Sequence, residues 1–205
     1  MLTRQSPRPM TVAALILGLI TLSAYSQNGS EPPDDENTGE VSTVNNEMLE
    51  LAMQGEALAQ YTLGVMYDRG LSVMQNYHEA VRWYRAAAEQ GHTTAQFSLG
   101  VMYAAGEGVG RDYQEAFRWF RTLAEKGHGH AQNNLGDMYH KGQGVSQDYV
   151  LAHMWFNLAA SNITDDYKEM AVKNRDLVAE KMTSEQIAEA VILALQWKPK
   201  AAKKQ

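Results

Sequence analysis

A gapless repeat of 36 residues fills the middle of this 205-residue chain and limits what the chain can fold into. Residues 56–91, 92–127 and 128–163 align so that twelve positions are identical in all three copies. In the first copy these positions are Ala59, Gln60, Leu63, Gly64, Met66, Tyr67, Gly70, Val73, Tyr77, Ala80, Trp83 and Ala88. A unit this short cannot bury its own apolar face, so neighbouring copies must cover it. The repeat therefore predicts a stack of equivalent units.

Each copy carries the signals of two helices. In the first copy, helix A is predicted over residues 57–69 and ends at Gly70, because glycine readily adopts the left-handed conformation. Asn76, Asp112 and Asp148 are predicted N-caps of the three B helices. In the first two copies a glutamate follows the cap by three residues, which predicts a capping box. Gly91 and Gly127 end two of the B helices, and the third is predicted to end at Ser161-Asn162, since asparagine tolerates the left-handed conformation.

The two faces of helix A differ. At 100° per residue, the identical positions cluster on one side and the variable positions on the other. The side with identical residues is expected to be buried where neighbouring helices stack. Its small residues would let the helix backbones approach closely, and Trp83 would fill the space between the stacked layers of helices. We predict an all-α fold, an α/α superhelical solenoid of three helix-turn-helix repeats. Residues 45–55 form an N-terminal half-repeat cap, and residues 164–197 form C-terminal capping helices, the second with a capping box at Thr183.

The two ends of the chain differ from its body. Residues 1–26 hold two arginines, a short apolar run and small residues before Gln27, which predicts a cleaved signal peptide. The alternative is an uncleaved anchor. Residues 27–44 are polar and acidic and are predicted to be a disordered tether, and residues 198–205 form a basic tail with four lysines. We therefore predict a periplasmic or secreted protein with no stable membrane span after cleavage.

Composition excludes several classes of protein. The chain has no cysteine, so it has no disulfide framework, no thiolate zinc site and no cysteine nucleophile. Its net charge is −6, so the chain lacks the excess of basic residues that is typical of a nucleic-acid-binding protein.

The repeat motif is most complete in the second copy, at Ala95-Gln96, Leu99-Gly100, Met102-Tyr103, Gly106 to Val109, Asp112-Tyr113, Ala116 and Trp119. This motif resembles the Sel-one-like repeat family, a relative of the tetratricopeptide repeats. The resemblance covers residues 45–163. It implies an adaptor that binds proteins or peptides, often in exported bacterial proteins. Some cysteine-rich relatives are linked to penicillin binding or β-lactamase activity. This chain lacks their disulfide pattern, so that activity is not carried over.

The variable side of helix A is the predicted binding site. In related helical-repeat folds helix A lines the concave face, so a protein or peptide would lie in a groove that turns from apolar to polar along the chain. The alternative is that this side is merely tolerant surface. The predicted protein-binding residues are Leu58, Tyr61, Val65, Phe97, Val101, His130, Asn133, Asn134, Asp137 and Lys141.

No catalytic motif stands out, so we predict a non-enzyme without cofactors. His128, His130, His140 and His153 cluster near the third copy, but they lack the spacing of a metal site and are expected to form a polar groove wall.

Three functions remain open. The first, which we favour, is an exported, monomeric adaptor in the bacterial envelope that binds a protein or peptide in the groove. The second is an envelope enzyme acting on cell-wall or β-lactam substrates. The third is a periplasmic regulator whose tail or tether contacts a membrane sensor.

Overall fold

The computed structural model describes residues 46–200, which contain nine α-helices and no strand. The all-α prediction is confirmed. The predicted signal peptide, the acidic tether and residues 201–205 of the basic tail lie outside the described residues. The helices are α1 (residues 46–53), α2 (Ala57–Arg69), α3 (Tyr77–Glu89), α4 (Thr93–Ala105), α5 (Tyr113–Ala124), α6 (Gly129–Lys141), α7 (Tyr149–Asn162), α8 (Lys168–Ala179) and α9 (Ser184–Gln196).

The chain divides into two compact units between His92 and Thr93. In the first unit α2 packs on α3, and Met48 and Ala52 of α1 join their core. In the second unit α4 packs on α5, α5 on α6 and α6 on α7, while α8 and α9 both pack on α7. Apart from α8 and α9, which both pack on α7, consecutive helices within each unit are therefore neighbours, which is the packing expected of helix-turn-helix repeats.

The helix ends follow the predicted signals closely. Helix α2 has the predicted bounds, and Gly70 and Gly142 end α2 and α6 in the left-handed conformation at φ 68° and 67°. Helix α7 ends at Asn162, as predicted, and the next residue, Ile163, is extended. The expectation of a left-handed asparagine at this end is wrong, because Asn162 does not have a positive φ.

The predicted N-caps are confirmed, but two of the capping boxes are not. The Asn76 carboxamide oxygen accepts hydrogen bonds from the backbone N–H groups of His78 and Glu79, and Asp112 caps α5 in the same manner. Asp148 caps α7 by accepting one hydrogen bond, from the backbone N–H of Leu151. The carboxylate of Glu79 pairs with Arg82 at 3.0 Å, and an equivalent pair in α5 has a distance of 2.7 Å. An arginine one turn ahead thus binds the carboxylate that a capping box would need.

Each A helix approaches its B helix at a glycine. A Cβ atom at Gly100 would lie 2.9 Å from the Phe120 ring, and one at Gly136 would lie 2.8 Å from the Phe156 ring. Gly64 meets the Tyr84 ring in the same way. The invariant glycine therefore accommodates an aromatic ring, which explains why all three copies keep it. Trp83 and Trp155 are buried as expected, whereas Trp119 is half-buried.

In the first and third copies, the invariant glutamine links helix A to the end of the preceding helix. The Gln60 amide donates to the carbonyl of Ala52 at 3.1 Å, and the Gln132 amide donates to the carbonyl of Ala124 at 3.2 Å. Gln90 donates to the side-chain oxygen of Gln60 at 2.7 Å. Since an unsatisfied buried amide is costly, this residue is fixed by its bonds to the end of the preceding helix.

The C-terminal segment covers the third repeat. Helix α8 buries Ala171 against Ala159 and Ile163, and it buries Val178 against Phe156. Helix α9 begins with the predicted capping box, in which Thr183 and Gln186 bond each other's backbone N–H groups.

Candidate protein-interaction surface

The predicted binding residues of the first unit lie on α2. Leu58 is exposed, while Tyr61 and Val65 are half-buried. The Tyr61 ring stacks on His92 with ring centres 4.6 Å apart. Burial raises the pKa of Tyr61, so its hydroxyl stays protonated at neutral pH. This surface offers a neutral aromatic ring held in place by a second ring.

The second unit builds a larger version of the same contact. Phe97 of α4 stacks on His128, the N-cap of α6, with ring centres 5.3 Å apart. His130 of α6 lies 6.3 Å from Phe97, and Tyr167, just before α8, meets His130 edge-on at 5.5 Å. We call these four residues the aromatic cluster. Because Phe97 and His128 occupy the same repeat positions as Tyr61 and His92, the repeat itself generates this pairing.

His128 has a fixed chemical state within the aromatic cluster. Its Nδ1 atom accepts a hydrogen bond from the Ala131 backbone N–H at 3.2 Å, which requires that atom to be unprotonated. Burial lowers the pKa of His128, and the charge of neighbouring His130 lowers it further. At neutral pH the imidazole therefore presents an uncharged ring to Phe97.

His130 connects the aromatic cluster to the C-terminal segment. Its Nε2 atom lies 3.0 Å from the Asp165 carboxylate. The other oxygen of that carboxylate accepts a hydrogen bond from the Tyr167 backbone N–H at 3.0 Å. One carboxylate thus holds both His130 and Tyr167, which brings the tyrosine ring next to α6.

The polar end of the predicted groove is largely occupied by the chain itself. Asn133 is buried, and its side-chain oxygen accepts a hydrogen bond from Asn174 of α8 at 3.1 Å. Its side-chain oxygen is therefore engaged within the protein. Asn134 is half-buried on α6, and Asp137 pairs with Lys141 along the same helix at 2.7 Å. Of the polar residues on this side, His130 and Asn133 bond the C-terminal segment, whereas Asp137 and Lys141 pair with each other.

Exposed apolar side chains surround the aromatic cluster. Val101 lies one turn beyond Phe97 on α4 and is 39% exposed. Tyr167 and Met170 are 57% and 42% exposed. These two residues were missed in the sequence, because they follow the point where the repeat fails and nothing local indicates that they return to the third copy. Together with Phe97, they offer a half-buried anchor and apolar surface to a partner.

The histidines do not converge on a metal site. Among residues 46–200, no group of three or more His, Cys, Asp or Glu side chains is placed to hold a metal ion. His140 instead lies 3.2 Å from the Lys181 ammonium, and His153 is buried on α7. Burial lowers the pKa of both histidines.

A comparison with protein families identifies the repeat. The model of the Sel1 repeat matches residues 57–92, 93–128 and 129–162, just over half of the chain. The chain belongs to the Sel1 repeat family. Members of this family generally mediate protein–protein interactions and generally serve as non-enzymatic scaffolds. The predicted family and the predicted helical-repeat fold are therefore confirmed.

Two solved structures are similar to the chain. A Sel1 repeat protein from Oxalobacter formigenes is 41% identical, with a TM-score of 0.55, over 63% of this chain and 95% of that protein. The protein c5321, a protective antigen of uropathogenic Escherichia coli with an SLR fold, is 27% identical, with a TM-score of 0.49, over 95% of this chain and 50% of that protein. No curated protein matches the sequence.

Among residues 46–200, no helix has the length and apolar character that a transmembrane span requires.

Proposed function

We propose that this Sel1 repeat protein is an exported adaptor that binds a protein or peptide in the bacterial envelope through the variable side of its A helices. The observation that carries this proposal is the aromatic cluster of the second unit with exposed Val101 beside it. A contiguous apolar patch of this kind is typical of interaction sites. The ring contacts within the aromatic cluster support the proposal that this patch binds a partner.

The cluster is suited to anchoring a partner because its rings are held before binding. Phe97 packs against Phe120 as well as His128, and Asp165 fixes the position of Tyr167. Rigid aromatic side chains lose little conformational entropy when a partner binds, and hot spots of binding energy are enriched in them. We expect the partner to insert an apolar or aromatic side chain between Val101 and Tyr167. Tyr61 in the first unit is the equivalent anchor for a second contact.

Binding is tested with purified residues 27–205 and envelope extract, followed by affinity measurement on each captured partner. Val101→Glu places a charge on the exposed patch and Phe97→Ala removes its anchor. We expect each to weaken binding about 30-fold or more, equivalent to roughly 2 kcal/mol. Arg118→Ala is the matched control, since Arg118 is an exposed residue of α5 outside the patch. A partner that binds both patch variants with unchanged Kd overturns the assignment.

Export is part of the same proposal, and the apolar segment in residues 1–26 supports it. We expect the protein in cell fractions to begin at Gln27 and to be found outside the cytoplasm. Mass spectrometry of the intact protein from fractionated cells measures both properties. A cytoplasmic protein that retains Met1 would contradict export while leaving the binding surface in place.

A further inference from the structure

Histidines of the third copy face both ends of α8, and the groups that they meet there are opposite in charge. His130 lies 3.0 Å from the Asp165 carboxylate, just before α8 begins. His140 lies 3.2 Å from the Lys181 ammonium, just after α8 ends. Histidine is the side chain whose charge ordinarily changes between about pH 5 and 8. Acidification therefore acts in opposite directions at the two ends of α8.

The bond between Lys181 and His140 exists only while the imidazole is neutral. An ammonium group can only donate hydrogen bonds, so the Nε2 atom of His140 must accept this one. Burial lowers the pKa of His140, and the charge of Lys181 lowers it further. Asp137 favours a proton on His140, but its carboxylate binds Lys141 at 2.7 Å, and the charge of Lys141 opposes that proton. Protonation would abolish the bond and leave two cations in contact, beside the Tyr149 ring that Lys181 also covers.

His153 of α7 is a second histidine that faces a cation of α8. It is 4% exposed, and its Nδ1 atom has no hydrogen-bond partner among the described residues. The first two copies have Val81 and Phe117 at this position, so the repeat itself does not require a histidine here. Burial lowers the pKa of His153, and the charge of Arg175 on α8 lowers it further.

The other groups around His153 do not reverse this effect. Asp176 of α8 favours the charged imidazole, but its carboxylate accepts hydrogen bonds from two nitrogen atoms of Arg175, at 2.9 and 2.8 Å. The buried residues of α6 and α9, the other two helices that pack on α7, carry no titratable group. A proton on His153 would therefore add a positive charge near Arg175 at a buried site.

Helix α8 is suited to local opening. The only buried residues in it are Ala171 and Val178. Helix α9 packs on α7 through its own buried residues, Ala190 and Ala194, so it does not depend on α8 for its position. Elements with few buried contacts open at a lower free energy than the rest of a protein. The second half of α8 can therefore separate while the helices around it stay folded.

We propose that acidification releases residues 175–182, the second half of α8 and the turn after it, from α6 and α7, while the start of α8 stays attached. A protonated His130 binds the Asp165 carboxylate as an ion pair, which holds the start of the helix. Release uncovers Phe156, on which Val178 packs. The proposal is independent of the proposed binding function.

The direction of the pH dependence follows from the two histidines that face cations. The pKa of His140 and of His153 is lowered while α8 is attached, so the released state takes up protons more readily. The attachment is therefore strongest above the ordinary histidine value of about 6.5 and weakens as the pH falls below it.

Hydrogen–deuterium exchange of residues 27–205 at pH 7.5 and pH 5.5, corrected for the pH dependence of chemical exchange, tests the proposal. We expect the backbone amides of residues 175–182 to exchange at least about fivefold faster at pH 5.5, because a released half-helix frays in water. The amides of α5 should change by less than about twofold, because α5 does not pack on α8.

Variants of the histidines separate this release from general acid instability. His140→Gln keeps an acceptor for Lys181 without titrating, and His153→Phe introduces the residue of the second copy. Each should reduce the difference between the two pH values, and the double variant should remove most of it. His78→Gln is the matched control, because His78 is an exposed histidine of α3, and it should respond like the wild type.

Three results would overturn the proposal. The first is equal protection of residues 175–182 at both pH values in the wild-type chain. The second is a response that the double variant leaves unchanged, and the third is an equally large response in α5. Lys181→Gln replaces the double variant if the latter does not fold at pH 7.5. It removes the cation that faces His140, so it should reduce the response, and an unchanged response overturns the proposal.

Discussion

At the scale of single residues, the three copies keep the same residue where a close contact with the backbone or with an aromatic ring leaves no room for another side chain. Gly100 shows this, because a Cβ atom there would press into the Phe120 ring at 2.9 Å. Gly110 lies in a turn where a Cβ atom would meet nothing within 4 Å. The two glycines therefore form a matched pair.

We expect Gly100→Ala to lower the free energy of unfolding by roughly 1–3 kcal/mol, because the ring must move to admit the methyl group. Gly110→Ala should change it by less than about 1 kcal/mol and can be stabilising, since alanine reduces the entropy of the unfolded chain. Urea denaturation measures both. Equal losses in the two variants would show that the ring contact is not what requires glycine.

The second prediction concerns His128 and pH. Burial lowers the pKa of His128 in the folded protein, with His130 adding to the effect. As pH falls below the ordinary histidine value of about 6.5, the unfolded chain takes up the proton first. Stability is therefore full above that value and falls as the pH decreases towards the lower pKa of the folded state.

We expect the Tm of the wild-type protein to be lower at pH 5.5 than at pH 7.5. His128→Asn should narrow this difference, because asparagine caps a helix without titrating. The difference should not vanish, since burial also lowers the pKa of His92 and His153. His128→Ala should lower the Tm at both pH values through loss of the cap. An unchanged pH dependence in His128→Asn would contradict this role.

At the scale of helices, the C-terminal segment takes the place of a fourth repeat. The Asn133–Asn174 hydrogen bond joins α6 to α8, and the Asp165 carboxylate binds His130 at the start of the same segment. These contacts account for the polar residues His130 and Asn133 on the variable side of the third copy. They also place Tyr167 in the aromatic cluster.

We expect Asn133→Ala and Asn174→Ala each to lower the free energy of unfolding by about 1–2 kcal/mol, because each leaves a buried or half-buried amide without its partner. The double variant should lose less than the sum, with a coupling energy of about 1 kcal/mol. Urea denaturation of the four proteins provides the cycle. Strict additivity would show that the two amides do not stabilise each other.

At the scale of the whole molecule, the sequence predicted the features set by neighbouring residues and missed those set by contacts between distant segments. Helix bounds and N-caps depend on a few neighbouring residues, so Gly70 and Asn76 were sufficient to locate them. The return of the C-terminal segment depends on contacts such as that between Asn133 and Asn174, 41 positions apart. No local pattern encodes that distance. The aromatic cluster was therefore predicted only in part, without Tyr167.

The absence of a metal-binding group of side chains among residues 46–200 leads to a prediction for residues 27–205. We expect added Zn²⁺ to leave the Tm of untagged residues 27–205 unchanged, because a ligand raises the Tm only if it binds the folded state preferentially. Differential scanning calorimetry with and without Zn²⁺ measures this. A rise in Tm that His130→Ala abolishes would instead assign a metal site to the aromatic cluster.

Because the C-terminal segment covers the third copy, it also limits where further repeats can be added to the chain. Tandem arrays lengthen when a unit is duplicated, and a new unit placed after residue 163 would separate His130 and Asn133 from Asp165 and Asn174. The buried carboxamide of Asn133 would then lose the hydrogen bond that Asn174 donates to it. Duplication of the second copy carries no such cost, since its variable side is small and apolar at Ala104 and Val101. The third copy is therefore specialised as the last repeat. In longer relatives or designs, we expect the additional repeats to be inserted before it in the sequence.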